Sequence, residues 1–143
     1  MSATVLYTSQ VLALSTSLAA YPWDESLNLR GEVRSPSCGS TIALALSVDD
    51  EGRIARIGIR SHACAIGQAA AAIFAGGAMG RDCGDIAATE KALAAWLAGT
   101  GEMPQWRDLE VIAPALAYPA RHGAIMLAWR AARELLCTSG LHG

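Results

Sequence analysis

The chain has 143 residues, of which 52% are hydrophobic and 17% charged, which suits one folded domain over residues 1–143 with a sizeable core and argues against disorder. Its formal net charge of -2 is spread without a basic block, so neither nucleic acid nor an anionic membrane surface is expected as a partner. Arginine supplies all the cationic side chains except Lys91.

Residues 4–20 mix Leu, Val and Ala at loosely helical spacing, and Pro22 ends this first predicted helix. No Lys or Arg precedes the apolar stretch 11–21, so it lacks the positive start of a signal peptide and a cytoplasmic protein is expected. Alternation of Leu27, Leu29 and Val33 against polar neighbours predicts a short strand over 27–33, stopped by Pro36. An antiparallel hairpin follows: Ile42, Leu44, Leu46 and Val48 alternate, the turn Asp49-Asp50-Glu51-Gly52 intervenes, and Ile54, Ile57 and Ile59 return.

The period then changes. Residues 63–79 are almost wholly small or apolar, which predicts a buried helix, and Gly76, Gly77 and Gly80 are read as its stop. The run is too weakly apolar, with its Ala, Gly and Gln68, for a membrane span. Asp82 or Asp85 caps a further helix reaching Leu97, with Gly99 as its end. A short helix is expected over 106–116, and Pro119 starts the last one, with apolar faces from Ile125, Leu127, Trp129, Leu135 and Leu136. Strands first and helices afterwards predict an α+β fold: a small antiparallel three-stranded sheet with helices packed on one face.

Four cysteines, Cys38, Cys64, Cys83 and Cys137, stand without CxxC spacing, so neither a disulfide framework nor a zinc ribbon is expected. Cys38 lies in the tight turn feeding the hairpin, beside the permissive Gly39. Cys64 falls in the first turn of the buried helix, where free amides and the positive dipole end favour the thiolate, the ligand form. His122 opens the last helix, where the same dipole favours the neutral imidazole that binds metals. Cys83, Cys137 and His142 read as incidental, lying in a loop, on a packing helix and in the tail. Thr41 stands where a papain-like signature needs an aromatic residue, there is no GxSxG elbow, and the glycines at 76, 77 and 80 lack dinucleotide-loop spacing. A thiol enzyme with Cys64 as nucleophile and His62 or His122 as base has no evident third orienting group.

Ser35-Pro36-Ser37-Cys38-Gly39 before a hairpin, Cys64 opening an Ala-rich helix, and Tyr118-Pro119-Ala120-Arg121 before Ala128-Trp129 together resemble the IscU, SufU and NifU N-terminal scaffold family, over nearly the whole chain. The segment 99–117 is similar to the extra stretch of the SufU branch. The resemblance implies a SufE/NifU-like fold and no enzymatic activity. It also implies assembly of iron-sulfur clusters, with a cysteine desulfurase and other iron-sulfur assembly proteins as partners. The family's site is three cysteines plus an Asp, holding zinc or a nascent iron-sulfur cluster. Cys38 and Cys64 match the first two cysteines, and His122 matches a histidine preceding the third in the IscU branch. Ser40 stands at the Asp position and Gly123 at the third cysteine. The expected ligands are therefore Cys38, Cys64 and His122, with weak or labile binding of iron, zinc or a cluster, since a neutral hydroxyl is a poor substitute for a carboxylate. Two readings follow: a scaffold that accepts sulfur and transiently holds iron, zinc or a cluster, or a metal-free interaction module of the same machinery with a vestigial site.

Overall fold

The computed structural model describes residues 8–35 and 39–138. Helix α1 (Ser9–Ser17) starts at Thr8, whose hydroxyl accepts from the Val11 amide at 3.1 Å, and runs into a 3-10 turn, Leu18–Ala20. Most of the predicted first helix is thus present, and its residues 4–7 lie outside the described residues.

Three strands follow: β1 (Leu29–Arg34), β2 (Thr41–Val48) and β3 (Ile54–His62), antiparallel in the order β1-β2-β3. The first begins two residues later than the alternation predicts, because Leu27 is buried in a turn in which its amide donates to the Asp24 carbonyl. Period-2 alternation divides the sheet. Ile42, Leu44 and Leu46 point one way, in register with Val33, Gly31 and Leu29, and this is the face the helices cover. Helix α4 (His122–Thr138) packs on β1 and β2, and α2 (Ala65–Ala78) on β3. Gly31 belongs to this contact, since a Cβ there would stand 3.1 Å from Leu135. The α+β architecture with helices on one sheet face is the expected one.

Ten of the fourteen residues of α2 are buried, as a helix apolar all round should be. Gly76 and Gly77 lie inside it and do not stop it. The stop is Gly80, at φ +83°, a left-handed conformation that glycine adopts without steric cost. Gly77 has a packing task instead: a Cβ on it would meet Trp106 Nε1 at 2.6 Å. Trp106 lies flat on Phe74, with ring centroids 5.9 Å apart, and its indole N–H donates to the Ile73 carbonyl at 2.8 Å. Trp129 meets both rings edge-on. This aromatic group ties α2, the segment bearing Trp106 and α4 into one core.

Helix α3 (Cys83–Leu97) begins with a capping box in which Asp82 accepts from the Asp85 amide and Asp85 from that of Asp82. The predicted helix over 106–116 is a 3-10 segment, Leu109–Ala117, carrying Pro114, which cannot donate to an α-helical ladder. Among the described residues no helix is long and apolar enough to cross a membrane.

The two adjacent glycines predict opposite effects of one substitution. Gly76→Ala meets nothing within 4 Å and should stabilise by up to about 1 kcal/mol through helix propensity. Gly77→Ala should destabilise by roughly 1–3 kcal/mol, since the buried Trp106 ring has little room to move. Urea denaturation midpoints for the two variants check the sign.

Candidate functional site

One end of the molecule gathers the starts of two helices and the ends of two strands. Cys64 is the N-cap of α2, extended at φ -65° and ψ 170°, with its carbonyl accepting from the Gln68 amide at 2.9 Å. Its side chain caps no amide, so the sulfur is not committed to the helix. Cys64 is half-buried and is the one free cysteine among the described residues. The Gln68 side chain reaches back to donate to the Ala63 carbonyl at 3.1 Å, holding the entry to the helix.

The first turn of α2 rests against that of α4: a Cβ on Gly67 would lie 3.2 Å from the Ala124 Cβ. Small residues on both sides allow this approach and bring position 123 of α4 to the Cys64 end of α2. Two residues before Cys64, His62 pairs with Thr41, the first residue of β2. The β1–β2 connection therefore leaves the sheet at the same end as Cys64. That connection is closed by Ser35, whose amide donates to the Ser40 carbonyl at 2.8 Å, and by the Gly39 amide, which donates to the Ser35 carbonyl at 3.0 Å. Cys38 belongs to this connection but lies outside the described residues. Ser40 is 6% exposed, and Gly123 stands in the first turn of α4 without a side chain to contribute.

His122 is the first residue of α4, following the 3-10 turn Pro119–Arg121. Its Nε2 lies 3.0 Å from the Ala115 carbonyl oxygen, which can only accept, so Nε2 carries the proton. The lone pair of the neutral ring is then on Nδ1, with the partner carbonyl fixing the tautomer as such partners do for metal-binding histidines. The ring also borders a groove formed by Trp96, Leu97, Gly99, Leu116 and Pro119. The helix starts carrying Cys64 and His122 are packed together, but no group of three His, Cys, Asp or Glu side chains among the described residues is placed to share a metal ion.

The remaining cysteines differ from expectation. Cys83 and Cys137 are not incidental: they form a disulfide, with Cα atoms 5.3 Å apart. Cys83 is the first residue of α3 and not a loop residue, and α3 and α4 pack alongside one another, so the start of one meets the end of the other. Spacing could not reveal the pair across 54 residues. It required the antiparallel packing of the two helices, which Arg133 of α4 and Glu90 of α3 also bridge with an ion pair.

No known family model matches the chain, and no curated protein sequence does. Solved structures do. A nitrogen-fixing NifU-like protein (N-terminal) from Brucella abortus superposes with a TM-score of 0.82 at 25% identity, over 91% of each chain. A candidate iron-sulfur cluster assembly scaffold protein for the SUF system, from the thermophile Fervidobacterium islandicum AW-1, gives 0.76 at 20% identity over 92% of this chain and 96% of that one. The fold is thus that of the NifU-like N-terminal and SUF-system scaffold structures, the class the sequence resembles.

The cysteine geometry predicts a thiol count. Denatured without reductant, the protein should present two of its four cysteines to a thiol reagent, and all four after reduction. Reduction should also lower stability by about 2–4 kcal/mol, read from denaturation midpoints with and without dithiothreitol.

Proposed function

We propose that this chain is a scaffold-like protein of iron-sulfur cluster assembly that accepts sulfur from a cysteine desulfurase and transiently holds iron, zinc or a nascent cluster through Cys38 and Cys64. The observation that carries the reading is Cys64, an uncapped thiol at the N-terminus of a buried helix, at the end where the β1–β2 connection bearing Cys38 also leaves the sheet. The likeness to the NifU-like and SUF-system structures supports it.

The chemistry asked of Cys64 is one displacement. Its thiolate attacks the outer sulfur of a desulfurase persulfide, a new Sγ–S bond forms, the donor's S–S bond breaks, and the donor cysteine leaves as thiolate. The transferred sulfur stays on Cys64 as a persulfide.

The metal or cluster is cargo in this reading. Structural zinc uses four strong protein ligands, and Ser40 and Gly123 leave two positions without one. Cys38, Cys64 and the Nδ1 of His122 are the donors available, and cargo ligands or a partner complete the set. The protein would act in the cytoplasm, beside the desulfurase and other assembly proteins. The same two substitutions favour a second reading, a metal-free interaction module that binds the desulfurase without carrying cargo.

Anaerobic reconstitution with iron and sulfide separates the two. The scaffold reading expects metal and visible absorbance that vanish in Cys64→Ala. Wild-type protein that stays colourless and metal-free, with or without the desulfurase, leaves only the interaction module. Restoring the missing donors gives a second test. Gly123 is not among the glycines with positive φ, so its backbone conformation suits an L side chain. Ser40→Asp combined with Gly123→Cys should bring zinc affinity into the structural range of about 10–16 kcal/mol, and unchanged affinity in a competition titration would mean that these positions do not face a common centre.

A further inference from the structure

We propose that the helix-free face of the sheet is a docking surface for an acidic segment of a partner protein. In register, this face carries the rows Arg34-Thr41-His62, Glu32-Ala43-Arg60, Arg30-Ala45-Gly58 and Ser47-Arg56. Four of the chain's arginines therefore share one side of a three-stranded sheet, in a protein whose overall charge is -2. The carboxylates beside it are Glu32, the Asp24 that binds Arg56 at 2.8 Å, and Glu25, which accepts from the Trp23 indole N–H at 3.4 Å.

The surface is shaped as well as charged. Trp23, Asn28, Arg30, Glu32, Ala43 and Arg60 enclose a shallow recess of about 460 Å³. Its floor is small, at Ala43 and Gly31, and one wall is the Trp23 indole, against which the Arg60 guanidinium stacks 4.3 Å from the ring centroid. The chain segment bearing Trp23 is fixed there because the Tyr21 carbonyl accepts from the Ile59 amide at 2.9 Å, and Gly58 leaves room for the Pro22 carbonyl. Arg60 is thus held in place by an aromatic ring, and among the described residues its guanidinium meets no carboxylate. Tryptophan and arginine are the residues that dominate binding energy at protein interfaces, and lysine is depleted there.

Charge complementarity selects the occupant. Unpaired guanidiniums call for carboxylates, which they grip in forked hydrogen bonds. A phosphate backbone fits poorly, because Glu32 interrupts the positive track that a nucleic acid needs. A membrane surface fits poorly too, because the floor offers no large apolar side chain to insert. A protein segment alternating acidic residues, with a neutral or basic one opposite Glu32, matches the pattern.

The test is fluorescence anisotropy with a short labelled peptide alternating Glu and Ala, run beside a single-stranded oligonucleotide and phosphatidylserine vesicles. The expected result is peptide binding that weakens with salt, weakens roughly tenfold in Arg30→Glu/Arg60→Glu, and tightens in Glu32→Gln. The last is a single change at an exposed position, so the prediction stands even if the double reversal does not fold. Absence of peptide binding, binding indifferent to Glu32→Gln, or tighter binding of the oligonucleotide or vesicles would each overturn the proposal.

Discussion

The close approach of α2 to α4 is the constraint on which the rest of the structure depends. Gly67 and Ala124 let the first turns of the two helices meet, and ten positions later Gly77 admits the Trp106 ring against the same helix. An Ala-rich helix makes this possible. Larger side chains on α2 would hold α4 away, and the start of α4 would no longer lie beside Cys64. The aromatic group of Phe74, Trp106 and Trp129 supplies the bulk that the alanines lack, with edge-on and stacked contacts that add to their area burial.

That arrangement sorts chemistry to one end and mechanical fastening to the other. The start of α2, which has no side-chain cap, meets the start of β2 and the end of β3 at the Cys64 end, and a helix N-terminus favours an anion. The opposite end of α4 is clamped to α3 by the Cys83–Cys137 disulfide and by Arg133 with Glu90. A loop-bearing site benefits from being anchored on rigid elements, and here the anchoring covalent bond lies at the far end of α4 from its first turn. Such bonds are rare where thiols are kept reduced, so in the cytoplasm this clamp would fall to the packing of α3 on α4 and to Arg133 with Glu90.

The strand pattern was the most legible part of the sequence, because period 2 in residues 41–48 has no helical interpretation and a turn followed by Ile57 and Ile59 returns it. Helix interiors were legible too, but what ended them was not. Gly76 and Gly77 look like a stop, and only the position of Trp106, about thirty residues away, explains why Gly77 stands inside the helix. The disulfide was hidden for the same reason: it depends on which helices lie antiparallel, a tertiary fact. The Cys64 position could be read from its place before an Ala-rich helix. The partner of His122, the Ala115 carbonyl, could not, because a 3-10 segment containing Pro114 presents it. Arginine usage carried no message in one dimension and acquires one only when β1 and β3 are set in register.

The central claim is that the sulfurs of residues 38 and 64 share one pocket. Trivalent arsenic tests it directly, since phenylarsine oxide binds tightly only where it can bridge two thiols, and the other two cysteines are already bonded to each other. Mass spectrometry of the unreduced protein should show one arsenical added to the wild type and retained against a monothiol competitor. It should show none retained in Cys38→Ala or in Cys64→Ala. Labelling that survives either substitution, or is absent from the wild type, would contradict the account.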